Sequence, residues 1–203
     1  VQAGASDGVL NTLFQKAIYV GKKVRTETQI NKQPLSVPYA AVELARRSLG
    51  SLQGKTVMVV GAGEMSELTT RCLMDNGVQS VIVSNRSYDK AEAMARNFNG
   101  RAVRFDLLAT EMNQADIIIS CTAASHYVIR PDNCKEVLES RQGRKIIMID
   151  IAVPRDINPS LEEIDGVFIY DIDDLQGVVD ANHLEKKKSI KQAQSIITTE
   201  IDD

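Results

Sequence analysis

The sequence predicts an α/β protein built on a doubly wound parallel sheet, and three observations carry that reading. From residue 55 onward, short apolar runs alternate with amphipathic helical patterns. The runs are continuously apolar, as strands buried on both faces of a parallel sheet require. A glycine-rich turn follows the first run directly and opens a helix. Right-handed crossovers then leave little freedom. The expectation is six strands in the order 3-2-1-4-5-6, flanked by N-terminal helices and a long C-terminal helix.

Two helical patterns come first. Leu10, Leu13, Phe14, Ala17, Ile18, Gly21 and Val24 recur with the spacing of one buried helix face. The polar stretch from Arg25 to Pro34 ends that pattern. Ser36 is placed as an N-cap with Pro38 in the first turn, and Ala41, Ala45 and Leu49 line a second face closed by Gly50. The expected strands are Val57–Val60, Val81–Ser84, Ala102–Phe105, Asp116–Ser120, Ile146–Ile149 and Val167–Tyr170. Between them, Met65, Leu68, Cys72 and Leu73 mark one helix, stopped at Asn76–Gly77. Ala91, Met94, Ala95 and Phe98 mark another behind Ser87, and Cys134, Val137 and Leu138 a third. A last helix starts near Asp173. Its seam of Ile172, Leu175, Val179, Asn182, Ile190, Ala193, Ile197 and Ile201 is longer than a sheet could cover and is expected to pack on the first helix, on a further domain or on a second copy of itself. The expected organisation is residues 1–50 as N-terminal helices, 51–171 as a dinucleotide-binding Rossmann domain and 172–203 as the start of a long helix.

Composition excludes several classes. Of 203 residues, 43% are hydrophobic and 25% charged, which excludes disordered and collagen-like chains. No apolar run approaches the length of a membrane-spanning helix. A net charge of −3 argues against a surface built to neutralise phosphates. Cys72, Cys121 and Cys134 form neither a disulfide nor a metal pattern, which fits a reducing, cytoplasmic setting. No signal peptide is expected, and a sequence running from Val1 to Asp203 reads as a piece of something longer.

Gly61–Ala62–Gly63–Glu64–Met65–Ser66 is the candidate phosphate loop. Its first glycine permits a tight turn and its second lets backbone N–H groups reach a pyrophosphate. Ser66 is small enough for close helix–strand approach, and the helix N-terminus adds about half a positive charge. The second strand ends in Ser84–Asn85–Arg86–Ser87, without the carboxylate that would hold a free ribose 2′-hydroxyl. A guanidinium with Asn85 and Ser87 beside it suits a 2′-phosphate, so NADPH is expected over NADH. Two further loops should reach the same sheet edge. Cys121–Thr122–Ala123–Ala124–Ser125–His126 would let a nicotinamide approach the backbone at Thr122 and Ala123, and Asp150–Ile151–Ala152–Val153–Pro154–Arg155 would be stiffened by Pro154. The lysines Lys186, Lys187, Lys188 and Lys191 read as a solvated helix face.

With these motifs in place, the sequence resembles the NADPH-binding part of the glutamyl-tRNA reductase family. LFQKAIYVGKKVRTET, SVPYAAVELA, GAGEMSELT, SNRSYDKA, DIAVPRDINP and YDIDDLQ carry the resemblance through their order and spacing. The resemblance implies an oxidoreductase of tetrapyrrole (5-aminolevulinate, porphyrin) biosynthesis. In the family a cysteine attacks glutamyl-tRNA to give an enzyme thioester, and hydride from NADPH releases glutamate-1-semialdehyde. It also implies a V-shaped homodimer along a spinal helix, glutamyl-tRNA bound through other domains, and glutamate-1-semialdehyde aminotransferase as a candidate partner. The family's nucleophile lies in a TCNR-type motif that this sequence does not contain. No catalytic residue is therefore expected here: Cys72, Cys121 and Cys134 read as packing residues, and no metal site is expected. Two departures from the family pattern are Ser66 for the commoner glycine and Thr122–Ala123–Ala124 where many members carry a glycine. The alternatives are a shikimate dehydrogenase-like or methylene-tetrahydrofolate dehydrogenase-like NADP oxidoreductase, and a catalytically silent dinucleotide sensor. Against the dehydrogenases stands the absence of a Lys–Asp catalytic pair before Gly61, and for the reductase stands the DIAVPRDINP segment.

Overall fold

A computed structural model of the chain describes residues 8–30 and 35–202. Residues 31–34, part of the polar stretch expected to end the first helix, lie outside them. The chain divides into two units: Ser36–Val178, and Val1–Leu35 together with Val179–Asp203.

The larger unit is the sheet. Strands β1 (Thr56–Val60), β2 (Ser80–Ser84), β3 (Arg101–Val103), β4 (Ile117–Ser120), β5 (Ile146–Asp150) and β6 (Val167–Asp171) run in the order β3-β2-β1-β4-β5-β6, every pair parallel. The expected order is borne out, and the reason lies in the runs themselves. β1, β4 and β5 sit in the middle and are buried on both faces, so all their positions but the last of β5, Asp150, are apolar or small. Register pairs Met58 with Ile82 and Ile118, and Ile118 with Met148. These alternate residues share one face with Leu108, Met112, Cys134 and Leu138 of the helices α5 (Leu108–Met112) and α6 (Pro131–Glu139). Ile118 has no solvent exposure at the centre of this layer. Ile118→Ala is expected to cost about 2–5 kcal/mol, read as a lower urea midpoint at unchanged slope.

The helices of this unit meet expectation unevenly. α2 (Val37–Leu49) begins after Ser36 with Pro38 in its first turn, as expected, but packs on α3 and β5 and so belongs to the sheet unit. α3 (Glu64–Asp75) buries Ser66, Thr69, Thr70 and Leu73. The expected face was Met65, Leu68 and Cys72 with Leu73, yet Met65 and Leu68 are exposed. Small side chains win here because they let the helix axis approach its neighbours, and the Thr69 and Thr70 hydroxyls donate to the carbonyls of Met65 and Ser66, four residues back. α4 (Tyr88–Asn97) buries Ala91, Met94 and Ala95 as its spacing predicts. β3 is shorter than expected, since Phe105 belongs to a 3-10 turn that follows it.

The smaller unit holds α1 (Gly8–Glu27) and the C-terminal part of α7 (Ile172–Asp202), a 31-residue helix whose first turns belong to the sheet unit. α1 has no buried residue, and Leu10, Leu13, Phe14 and Ile18 of its expected buried face are exposed. The α7 seam holds at Leu175, Val179 and Ala193 but not at Ile190, Ile197 and Ile201, which are exposed while Ser189 and Glu200 are buried. Glu200 accepts from Lys16 and Lys23, both at 2.8 Å. Those ammonium groups hold its carboxyl below the ordinary range. Among the described residues, no helix is long and apolar enough to cross a membrane.

Candidate functional site

The carboxyl ends of β1, β2 and β4 open onto a cleft of about 470 Å³. In a doubly wound sheet this edge, where the strand order reverses, is where ligands lie. Gly61 starts the β1-to-α3 turn at φ +101°, a conformation that side chains disfavour. Its N–H donates to the Ser84 carbonyl at 2.9 Å, and a Cβ there would lie 2.2 Å from the Cys121 carbonyl oxygen. Glycine is thus required by the turn itself. Gly63 sits at the N-cap of α3, where a Cβ would meet nothing within 4 Å. The space above it is open, and the first-turn N–H groups of α3 have no intrahelical acceptor. A helix start of this kind can accept an anion.

Gly61, Ala62, Gly63, Asn85, Arg86, Thr122 and Ala123 of the expected site residues all line the cleft. Glu64, Met65, Ser66 and Ser87 do not. Glu64 and Met65 turn their side chains to solvent, so only their backbone amides face an anion at the helix start, while Ser66 is fully buried under the turn. Ser87 is exposed and its carbonyl accepts the Asn85 side-chain amide at 3.2 Å, which shapes the end of β2.

Three lining groups escaped the sequence reading, Lys90, Phe105 and Val128, while Ala124 belongs to the loop expected at this edge. Lys90 sits in the first turn of α4, just after the loop that carries Arg86, and its place there was the available signal. Among the described residues neither Arg86 nor Lys90 has an ion-pair partner. Two uncompensated cations therefore border the same cleft wall as Asn85, and no carboxylate lines it.

The β4 loop forms the opposite wall. Cys121 lines the cleft, with its thiol pushed above the ordinary value mainly by burial, opposed in part by the Ser66 hydroxyl. Cys134 packs in the core, where burial raises its thiol to about 11. Burial also raises the Cys72 thiol, and Cys72 is not on the cleft. None has an activated thiolate. His126 is exposed and does not line the cleft. No cluster of metal ligands occurs among the described residues.

The fold and the glycine turn together define a Rossmann-type dinucleotide-binding domain. The family model described as shikimate / quinate 5-dehydrogenase matches residues 43–178, nearly the whole sheet unit, and the chain belongs to that family. A quinate dehydrogenase from Corynebacterium glutamicum in complex with NAD shares the fold at 14% identity and a TM-score of 0.54, covering 82% of this chain and 62% of that one. The particular likeness is to glutamyl-tRNA reductase. The enzyme of that name from Desulforudis audaxviator is 56% identical over 200 residues, covering 98% of this chain and 45% of the relative. The glutamyl-tRNA reductase structure from Methanopyrus kandleri matches at 42% identity and a TM-score of 0.88, covering 99% of this chain and 51% of that one. The resemblance read from the sequence motifs is borne out. The chain spans about half the length of the relatives it matches.

Proposed function

We propose that this chain is the NADPH-binding portion of a glutamyl-tRNA reductase. The observation that carries the reading is the meeting of an open Gly63 turn with two unpartnered cations, Arg86 and Lys90, on one cleft. The first-turn amides of α3 hold the diphosphate, aided by the partial positive charge of the helix N-terminus. The guanidinium of Arg86 and the ammonium of Lys90 hold the 2′-phosphate. Thr122, Ala123 and Ala124 then flank the nicotinamide end of the cleft. Bound there, NADPH supplies a hydride, and the protein's part is to orient the ring and exclude water.

In the whole enzyme the hydride acceptor is a glutamyl thioester formed from glutamyl-tRNA, and the product is glutamate-1-semialdehyde for 5-aminolevulinate synthesis. The nucleophile for that thioester is expected outside this chain, since it has no TCNR-type motif and burial raises the thiol of Cys121, the cysteine that lines the cleft, above its ordinary value. The reading carries with it a homodimer assembled along the helix that α7 begins, tRNA bound outside this chain, and the semialdehyde-consuming aminotransferase as a partner. The shikimate-type alternative keeps the same cofactor site and differs in substrate.

Titration with NADPH and NADH, followed by nicotinamide fluorescence, tests the proposal. NADPH is expected to bind at least tenfold tighter, as two charge-assisted contacts to a phosphate imply. Equal affinities would refute the cofactor assignment. With glutamyl-tRNA and NADPH, the chain alone is expected to release no semialdehyde.

A further inference from the structure

We propose that Asp156 is a positioning residue that holds the nicotinamide end of the cleft in its binding shape; the inference rests on the cofactor reading above. Asp156 is fully buried and has no cationic partner among the described residues. Its carboxylate instead accepts three hydrogen bonds. Oδ2 takes the Ser120 hydroxyl at 2.8 Å and the Thr122 N–H at 2.7 Å, while Oδ1 takes the Thr122 hydroxyl at 2.5 Å. The Asp156 carbonyl also accepts from the N–H groups of Val128 and Ile129, at 2.6 and 3.0 Å.

One residue thus pins both ends of the loop whose middle, Ala123 and Ala124, lines the cleft together with Thr122 and Val128. A buried carboxylate without a cation is costly unless donors meet it, and three do so here. Asp156 is itself fixed from behind. Asp150, at the end of β5, accepts from the N–H groups of Asp156 and Ile157 at 2.9 and 2.8 Å and of Ala152 at 3.1 Å. Burial raises the Asp150 carboxyl above its ordinary value, and the Ile157 and Ala152 amides oppose this. The DIAVPRD segment therefore acts on the cleft through the β4 loop. Asp156 does not line the cleft, and its side chain makes no hydrogen bond to Asn85, Arg86 or Lys90 on the far wall.

That separation gives the test. NADPH spans the whole cleft, whereas adenosine 2′,5′-bisphosphate carries the adenosine and 2′-phosphate and no nicotinamide. Affinities for both are measured on the wild-type chain, on Asp156→Asn and on Ser120→Ala. The asparagine keeps the shape but offers one acceptor oxygen where the carboxylate offers two. It is expected to weaken NADPH about tenfold, the order set by one lost hydrogen bond to a charged group, and to leave the bisphosphate within about twofold. Ser120→Ala removes a single donor that touches nothing in the cleft, so a shift of about threefold in the same sense is expected, and it decides the matter if the Asp156 variant does not fold. A merely structural role would lower thermal stability and leave the ratio of the two affinities unchanged, and that result in the folded variants overturns the proposal. A wild-type chain that binds neither probe would overturn the cofactor reading itself, and this proposal with it.

Discussion

Arg86→Ala is expected to weaken NADPH by about 10- to 100-fold and to leave NADH within about twofold, erasing most of the preference between them. The asymmetry follows from where the guanidinium sits. Arg86 borders the cleft at the end of β2 and has no carboxylate partner among the described residues, so its donors are free for a phosphate. NADH presents a hydroxyl there and gains little from the charge. Lys90, in the first turn of α4, borders the same cleft, so it holds part of the attraction in the single variant. Arg86→Ala/Lys90→Ala is therefore expected to lower NADPH affinity further. Both side chains are exposed, so the preference should also shrink as salt rises from about 50 to 500 mM. Fluorescence titrations at two ionic strengths check each statement.

The second large effect separates the two glycines of the turn. Gly61→Ala is expected to destabilise the sheet unit by about 3 kcal/mol or more, because the methyl group would collide with the Cys121 backbone in a conformation side chains already disfavour. In a thermal melt this is a drop of roughly 10 °C. Relief would require β1 and the β4 loop to part, and both loops of the cleft would move with them. Gly63→Ala is expected to melt close to wild type, since its Cβ meets nothing within 4 Å and its φ of −94° suits any residue. Its NADPH affinity should nonetheless fall at least tenfold, because the methyl fills the space through which the diphosphate reaches the amides. A folded Gly63→Ala that binds normally would mean the open cradle is not used.

The sheet was legible because its information is local. A run such as Val57–Val60 or Ile146–Ile149, short, β-branched and bounded by turns, reads as a strand buried on both faces, and the crossover rule then orders the six. The faces of the helices were less legible, because which side is buried depends on partners far away in sequence. α3 turns Ser66, Thr69 and Thr70 inward, a face that an apolar count assigns to solvent. On α1, helical periodicity identified the helix, and the face it assigned to burial is largely exposed in this chain; the exposed part of the α7 seam is the part expected to need a partner beyond the sheet. The cleft followed the same rule. Gly61, Gly63 and Arg86 announce themselves by residue type and position after a strand. Lys90 needs the helical phase of α4, and Asp156 needs the knowledge that β4 and β5 are neighbours. Read alone, Asp156 is one acidic residue in a proline-containing loop. Its partners, Ser120 and Thr122, lie more than thirty residues earlier in the chain.

A crystal of the chain with NADP⁺ gives the most direct measurement of where the nucleotide lies. The expected density has diphosphate oxygens about 3 Å from the first-turn amides of α3, the 2′-phosphate within hydrogen-bond reach of Arg86, and the nicotinamide against Thr122–Ala124. Nucleotide bound away from the Gly61–Gly63 turn, or at the turn with the 2′-phosphate pointing away from Arg86, would contradict this assignment.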